Sequence, residues 1–241
     1  MFFYILLIIM LSRLYPLFTD EPVTIVKLIL MMAIQLFFLL VMNISPGFLL
    51  LVLLLFIADI IEYFFEYKSL RLNLTRFLFF LIFSLISMIF SYVSGLNINI
   101  EIVIPVQNYI RSINNVTNLN LTGTQLIIIL TGLFILLNES NFLIRLVFEL
   151  SGKVPVTKET QEPDKTELNA GRIIGILERI IIFFFVTVGQ FAAVGFVIAA
   201  KGVVRYKELE DRNFAEYVLI GTLLSSLLAI VTGFIVAKLL Q

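Results

Sequence analysis

Runs of about twenty apolar residues recur along this chain, and nothing else constrains its fold as strongly. Residues 47–66, 75–96, 125–148 and 214–240 are runs of this kind, and 2–18 and 24–43 come close. A helix rising about 1.5 Å per residue crosses a hydrocarbon core of roughly 30 Å in about 20 residues. Lipid offers no partner to backbone N–H and C=O groups, so each run must satisfy its own as a helix. Hydrophobic residues make up 60% of the 241 against 14% charged, and the mean hydropathy is +1.06, beyond the range of soluble domains. We therefore expect an all-α, polytopic transmembrane bundle. The N-terminal run has neither a basic flank before it nor a small-residue cleavage site after it, and it reads as a retained helix.

Residues 170–206 pose the main question of topology. One straight helix there would be about 55 Å long, so the stretch should break, at "VGQFAAVG" where Gly189 and Gln190 interrupt the apolar run. A turn there makes a hairpin and brings the total to about eight segments. The hairpin also keeps basic residues together: all but Arg111 and Lys238 of the 17 then fall on the cytoplasmic side. Both termini are then outside. Three regions follow. Residues 1–150 are N-terminal helices with an outer loop at 97–123, 151–169 are a cytoplasmic linker, and 170–241 are the hairpin plus a last helix. Within the outer loop, polar and apolar residues alternate from Asn97 to Ile104 and Pro105 follows, which predicts a short strand. The linker is rich in charge, Thr and Pro, and poor in large apolar residues.

Charged residues within these apolar runs mark the candidate site. About a turn at 189–190, Glu178 and Lys201 lie at equal distances from the tip and should pair. Gly171, Gly175, Glu178, Ile182 and Gly189 share one helical face, a seam for close packing, and Gly221 and Ser225 form a second small pair. Arg179 sits on the neighbouring face. Glu216 enters the last helix near the expected places of Arg205 and Arg179. Asp59 and Glu62, three residues apart, share a face of the third run. Asp59, Glu62, Glu178, Arg179, Lys201, Arg205 and Glu216 thus form one expected cytoplasmic-side cluster. Ionisable groups in membrane segments either lock helices by pairing or mark a binding or transport site.

The stretches "GRIIGILER", "AAKGVVRY" and "AEYVLIGTLLS" resemble the tail of an uncharacterised family of prokaryotic multi-spanning membrane proteins. That pattern covers residues 170–226 and matches at Gly171, Arg172, Gly175, Glu178, Arg179, Lys201, Arg205, Glu216, Tyr217, Gly221, Thr222 and Ser225. The resemblance implies a prokaryotic inner membrane and no particular activity.

Several function classes are excluded by composition. The chain has no Cys, His or Trp, which removes thiolate nucleophiles, Cys or His metal sites and His-based triads. Asp59 is the single Asp in an apolar run, so a pair of membrane-level aspartates for proteolysis is missing. No phosphate-cradling glycine loop is present. Equal numbers of basic and acidic residues give no support to nucleic-acid binding. We expect a small transporter or channel-like protein without cofactor or metal, in which Arg179, Lys201 and Arg205 attract an anionic small molecule or lipid head group. The alternative is a scaffold packed against a second copy or another membrane protein; a lipid-modifying enzyme is third.

Overall fold

The computed structural model describes residues 1–14, 21–69, 71–92, 96–117, 121–151, 165–204 and 212–241, with backbone alone at 113, 115–117, 151, 165–172, 212–215 and 217–218. These form nine helices: α1 (Phe2–Ser12), α2 (Ile25–Leu39), α3 (Pro46–Lys68), α4 (Leu72–Tyr92), α5 (Ile100–Thr117), α6 (Gly123–Ser151), α7 (Lys165–Thr187), α8 (Phe191–Val204) and α9 (Arg212–Leu239). Among the described residues no named strand occurs; Met42 and Ile98 form an isolated antiparallel bridge. Two compact units divide the chain, Met1–Glu139 and Ser140–Gln241.

Four helices are long and apolar enough to cross a membrane: Pro46–Lys68, Leu72–Tyr92, Gly123–Leu150 and Leu219–Leu239. Their burial pattern is that of a membrane protein. On α3 the inward stripe is Phe48, Leu51, Leu55, Ala58, Asp59, Glu62 and Glu66, while Leu49, Leu50, Leu53, Ile57, Ile61, Phe64 and Phe65 face outward. In water such an apolar surface would drive association; in lipid it is the solvated face. The helix starts where Ser45 accepts the Phe48 N–H at 3.1 Å and Pro46 takes the first position.

In the first unit the short α1 is enclosed on every side, with Ile5 to Met10 all buried. A helix apolar all round belongs in a core. It packs with Leu39 and Met42 of the α2 end, Leu51 and Leu55 of α3, and Phe79 and Phe83 of α4. The Thr131 hydroxyl donates to the Phe3 carbonyl and the Asn138 amide to that of Met10, both pairs 128 residues apart, so α6 runs parallel to α1 in one register.

In the second unit α7 packs along α9. A Cβ on Gly233 would stand 3.0 Å from Val186 and 3.1 Å from the Phe183 carbonyl, so a side chain larger than hydrogen requires its neighbours to give way. The chain reverses between α7 and α8. Gly189 has φ +75°, its N–H donates to the Val186 carbonyl, and the Gln190 N–H donates to that of Phe185. These two bonds are the pattern that closes a helix around a left-handed residue, the conformation glycine adopts without steric cost.

Three expectations change. The run at 2–18 is helical to Ser12, about 16 Å at 1.5 Å per residue, too short to cross alone; residues 15–18 lie outside those described, as do 152–164 of the linker. Apolar α2 and α8 are also shorter than a full crossing, so among the described residues four helices reach that length where about eight segments were expected. The predicted strand at 97–104 is overturned, because α5 begins at Ile100 and carries Pro105 inside it. The Asn99 side chain caps that helix by accepting the Glu101 N–H. Alternation over 97–104 is the opening of a helical repeat continued by Ile102, Val106 and Tyr109.

Candidate functional site

Where α1 stops, its last carbonyls would be buried without partners. The Asn138 amide donates to the carbonyls of Met10 and Arg13 at 3.2 and 3.3 Å, and the Ser12 hydroxyl turns back to Ile9 at 2.8 Å. Arg13 follows at this negative end of the helix dipole, where a cation is favoured. Its guanidinium donates to Glu62 Oε1 at 2.7 Å and to the Arg76 carbonyl at 3.1 Å, and lies 5.1 Å above the centroid of the Phe83 ring. The pair is 2% and 3% exposed.

One turn further along α3, Glu66 takes a two-pronged contact from Arg76, at 2.8 Å from Nε and 3.2 Å from Nη2. It also accepts the Val23 N–H at 2.9 Å, while Arg76 donates to the Glu21 carbonyl at 2.8 Å. Such forked contacts are the strongest of their class. Asp59 accepts from Gln35 at 3.3 Å, and the same Gln35 nitrogen reaches the Ser12 hydroxyl at 3.1 Å. Glu139, next to Asn138 on α6, is 3% exposed, and the charged groups acting on it are Arg13, Glu62 and Arg76.

The chemistry of this assembly is unbalanced. Among the described residues its buried charged members are four carboxyl groups, Asp59, Glu62, Glu66 and Glu139, and two guanidiniums, Arg13 and Arg76. Both guanidiniums are engaged with glutamates, 62 and 66. Six buried acceptor oxygens receive no donor: Gln35 Oε1, Asp59 Oδ2, Glu62 Oε2, Asn138 Oδ1 and both of Glu139. Among the described residues the site thus has more acceptor oxygens without a donor than donor nitrogens without an acceptor, the latter being Arg13 Nη1, and four carboxyl groups to two guanidiniums. No group of three or more acidic side chains among the described residues is disposed to hold a metal ion.

The second unit holds the other expected residues. Lys201 Nζ donates to Glu178 Oε2, with side chains 12% and 19% exposed. Arg179 is 3% exposed and donates to Asn141. Glu216 is half-buried in α9, and Arg205 lies outside the described residues. Gly221 packs on Phe148, where an added Cβ would come within 3.2 Å, and Ser225 is buried. At Gly175 and Gly189 an added Cβ would meet nothing described within 4 Å; Gly189 shapes the turn rather than a packing seam. Gly171 lies in α7.

Asp59 and Glu62 therefore find their described partners in Gln35 and Arg13, and Glu178 and Arg179 find theirs in Lys201 and Asn141. Sequence reasoning missed Arg13, Gln35, Glu66, Arg76, Asn138 and Glu139. Glu66 was within reach of the helical-face argument, four residues beyond Glu62, and Asn138–Glu139 interrupts an otherwise apolar run. Arg76, at the start of the run 75–96 and assigned to the cytoplasmic side by the charge count, lies inside α4. An open depression lined by Asn43, Asn97, Asn99 and Glu101 sits at the opposite end of α3 from the carboxylates, and its single charge gives it little chemistry. Comparison with protein-family models, with curated proteins and with solved structures finds no match to the chain.

Proposed function

We propose that this all-helical membrane protein is a small transporter whose site is the buried network of the first unit, taking a small cationic solute. The donor shortage there carries the proposal. A network that only locked helices would gain from being fully satisfied, since buried polar groups without partners cost more than an apolar core. Asp59, Glu62 and Glu139 supply acceptor oxygens for an ammonium-type or hydrated cation, and Arg13 and Arg76 hold the remaining carboxylates in place. The resemblance over residues 170–226 favours the prokaryotic cytoplasmic membrane, and the distribution of basic residues favours both termini outside.

The test uses purified full-length protein in liposomes adsorbed to a capacitive electrode, with stepwise addition of small cations and then small anions. A charge displacement on addition of a cation, lost in folded Asp59→Asn, is the expected result. A current driven by an anion and abolished by Lys201→Met would move the site to the second unit and overturn the proposal. So would silence toward every solute from protein that remains folded.

A further inference from the structure

Glu139 is within about one turn of the midpoint of the span Gly123–Leu150 and is 3% exposed, yet neither of its oxygens receives a hydrogen bond. An ionised carboxylate left so would be buried without a hydrogen-bond donor, an arrangement that favours a carboxyl group keeping its proton. The neighbouring cations give it no hydrogen bond as the chain is arranged. Arg13 is on Glu62 with its plane over Phe83, and Arg76 is on Glu66 and the Glu21 carbonyl. From α2 comes Gln35, whose amide is turned to Asp59 and Ser12. From α3 come Asp59, Glu62 and Glu66. The next residue on α6, Asn138, gives its NH2 to the end of α1 and keeps an unpartnered oxygen.

We infer that Glu139 is a proton-exchange site inside the bilayer, where a proton and the Arg13 guanidinium compete for one carboxylate. In one state, with Arg13 on Glu62 as in the structure, the carboxyl keeps its O–H. When that O–H breaks, the proton passes to water and Arg13 compensates the new carboxylate. Glu62, then without its guanidinium, accepts the next cation or proton. Charge is conserved at each exchange, and no redox partner is needed. As a coupling device this rests on the transport proposal; as a protonation site it stands without it.

Infrared difference spectroscopy on the full chain in lipid tests the inference. At neutral pH we expect a protonated-carboxyl C=O stretch that shifts in deuterated buffer, disappears in Glu139→Gln, persists in Asp59→Asn and converts to carboxylate bands at alkaline pH. If Glu139→Gln does not fold, Glu139→Asp keeps the carboxyl and should move the band. A band that ignores both Glu139 substitutions overturns the inference, as does a spectrum of carboxylate alone at neutral pH. Conversion of the acid band to carboxylate on adding sodium at fixed pH also overturns it, by making a metal cation the occupant. The band without any solute-driven current would retain the proton site and remove transport; a current without the band would do the reverse.

Discussion

The two units of this chain treat charge in opposite ways. In the first, six ionisable side chains from α1, α3, α4 and α6 are 3% exposed or less and carry more acceptors than donors. In the second, the Glu178–Lys201 pair is partly open, and α7 comes close to α9 at Gly233. The difference separates two uses of polarity in a membrane. A pair at a helix end can stay near water and add little beyond orientation. A sealed network has no such outlet, so each group depends on the others, and an imbalance there points to something that comes and goes.

The largest effect should come from breaking the sealed network. Arg76→Met removes the two-pronged contact from buried Glu66, and should lower stability by about 3–5 kcal/mol. Adding Glu66→Leu removes the carboxylate that lost its guanidinium and should recover most of that loss. Thermal or SDS-induced unfolding in mixed micelles measures both. If Arg76→Met alone were silent, the first unit would be as tolerant as the second, and the contrast between them would vanish.

Next in size is a change at the close approach in the second unit. Gly233→Ala sets a methyl group against Val186 Cβ and the Phe183 carbonyl, neither of which is the free end of a flexible side chain. The expected cost is about 1–3 kcal/mol, the range for overpacked sites. Val186→Ala on the same chain should return part of it, which the same unfolding assay reads.

The two units were also unequally legible in sequence. The hairpin has local causes: a Gly–Gln break in an apolar run, and charges at equal distances from it. Such a feature can be seen in one stretch of chain. The network in the first unit is assembled from residues as far apart as Arg13 and Glu139, and each alone looks like an isolated polar residue in an apolar run. Asp59 and Glu62 were visible because one helix brings them together. Their partners were not, because the depth at which α1 stops decides them, and that depth is set by the surrounding helices. The same limit explains α5. Eight residues of alternation fit strand and helix about equally well, and the longer repeat to Tyr109 decides for helix.

The turn gives a third, smaller effect. Gly189→Ala places a Cβ at φ +75°, which should cost about 1–2 kcal/mol, with Gly189→Asn costing less because Asn tolerates that region. No neighbour crowds the position, so backbone strain is isolated from packing. A loss larger than that of Gly233→Ala would show that the turn, and not the α7–α9 contact, holds the second unit.

The smallest effect belongs to the pair that the sequence makes most visible. Lys201 stands three residues before the last residue of α8, and its side chain is 12% exposed. Lys201→Met leaves Glu178, itself 19% exposed, with a route toward the interface, so the loss should be about 1 kcal/mol, at the upper end for pairs in contact with solvent. Exchanging the two residues, Glu178→Lys with Lys201→Glu, keeps opposite charges face to face and should restore most of the loss, giving a coupling of similar size in a double-mutant cycle. A coupling near that of Arg76 and Glu66 would mean the pair is sealed from water and that both units bury charge alike. A coupling near zero would leave Gly233 and Gly189 as what shapes the second unit, with its charges held by the interface rather than by each other.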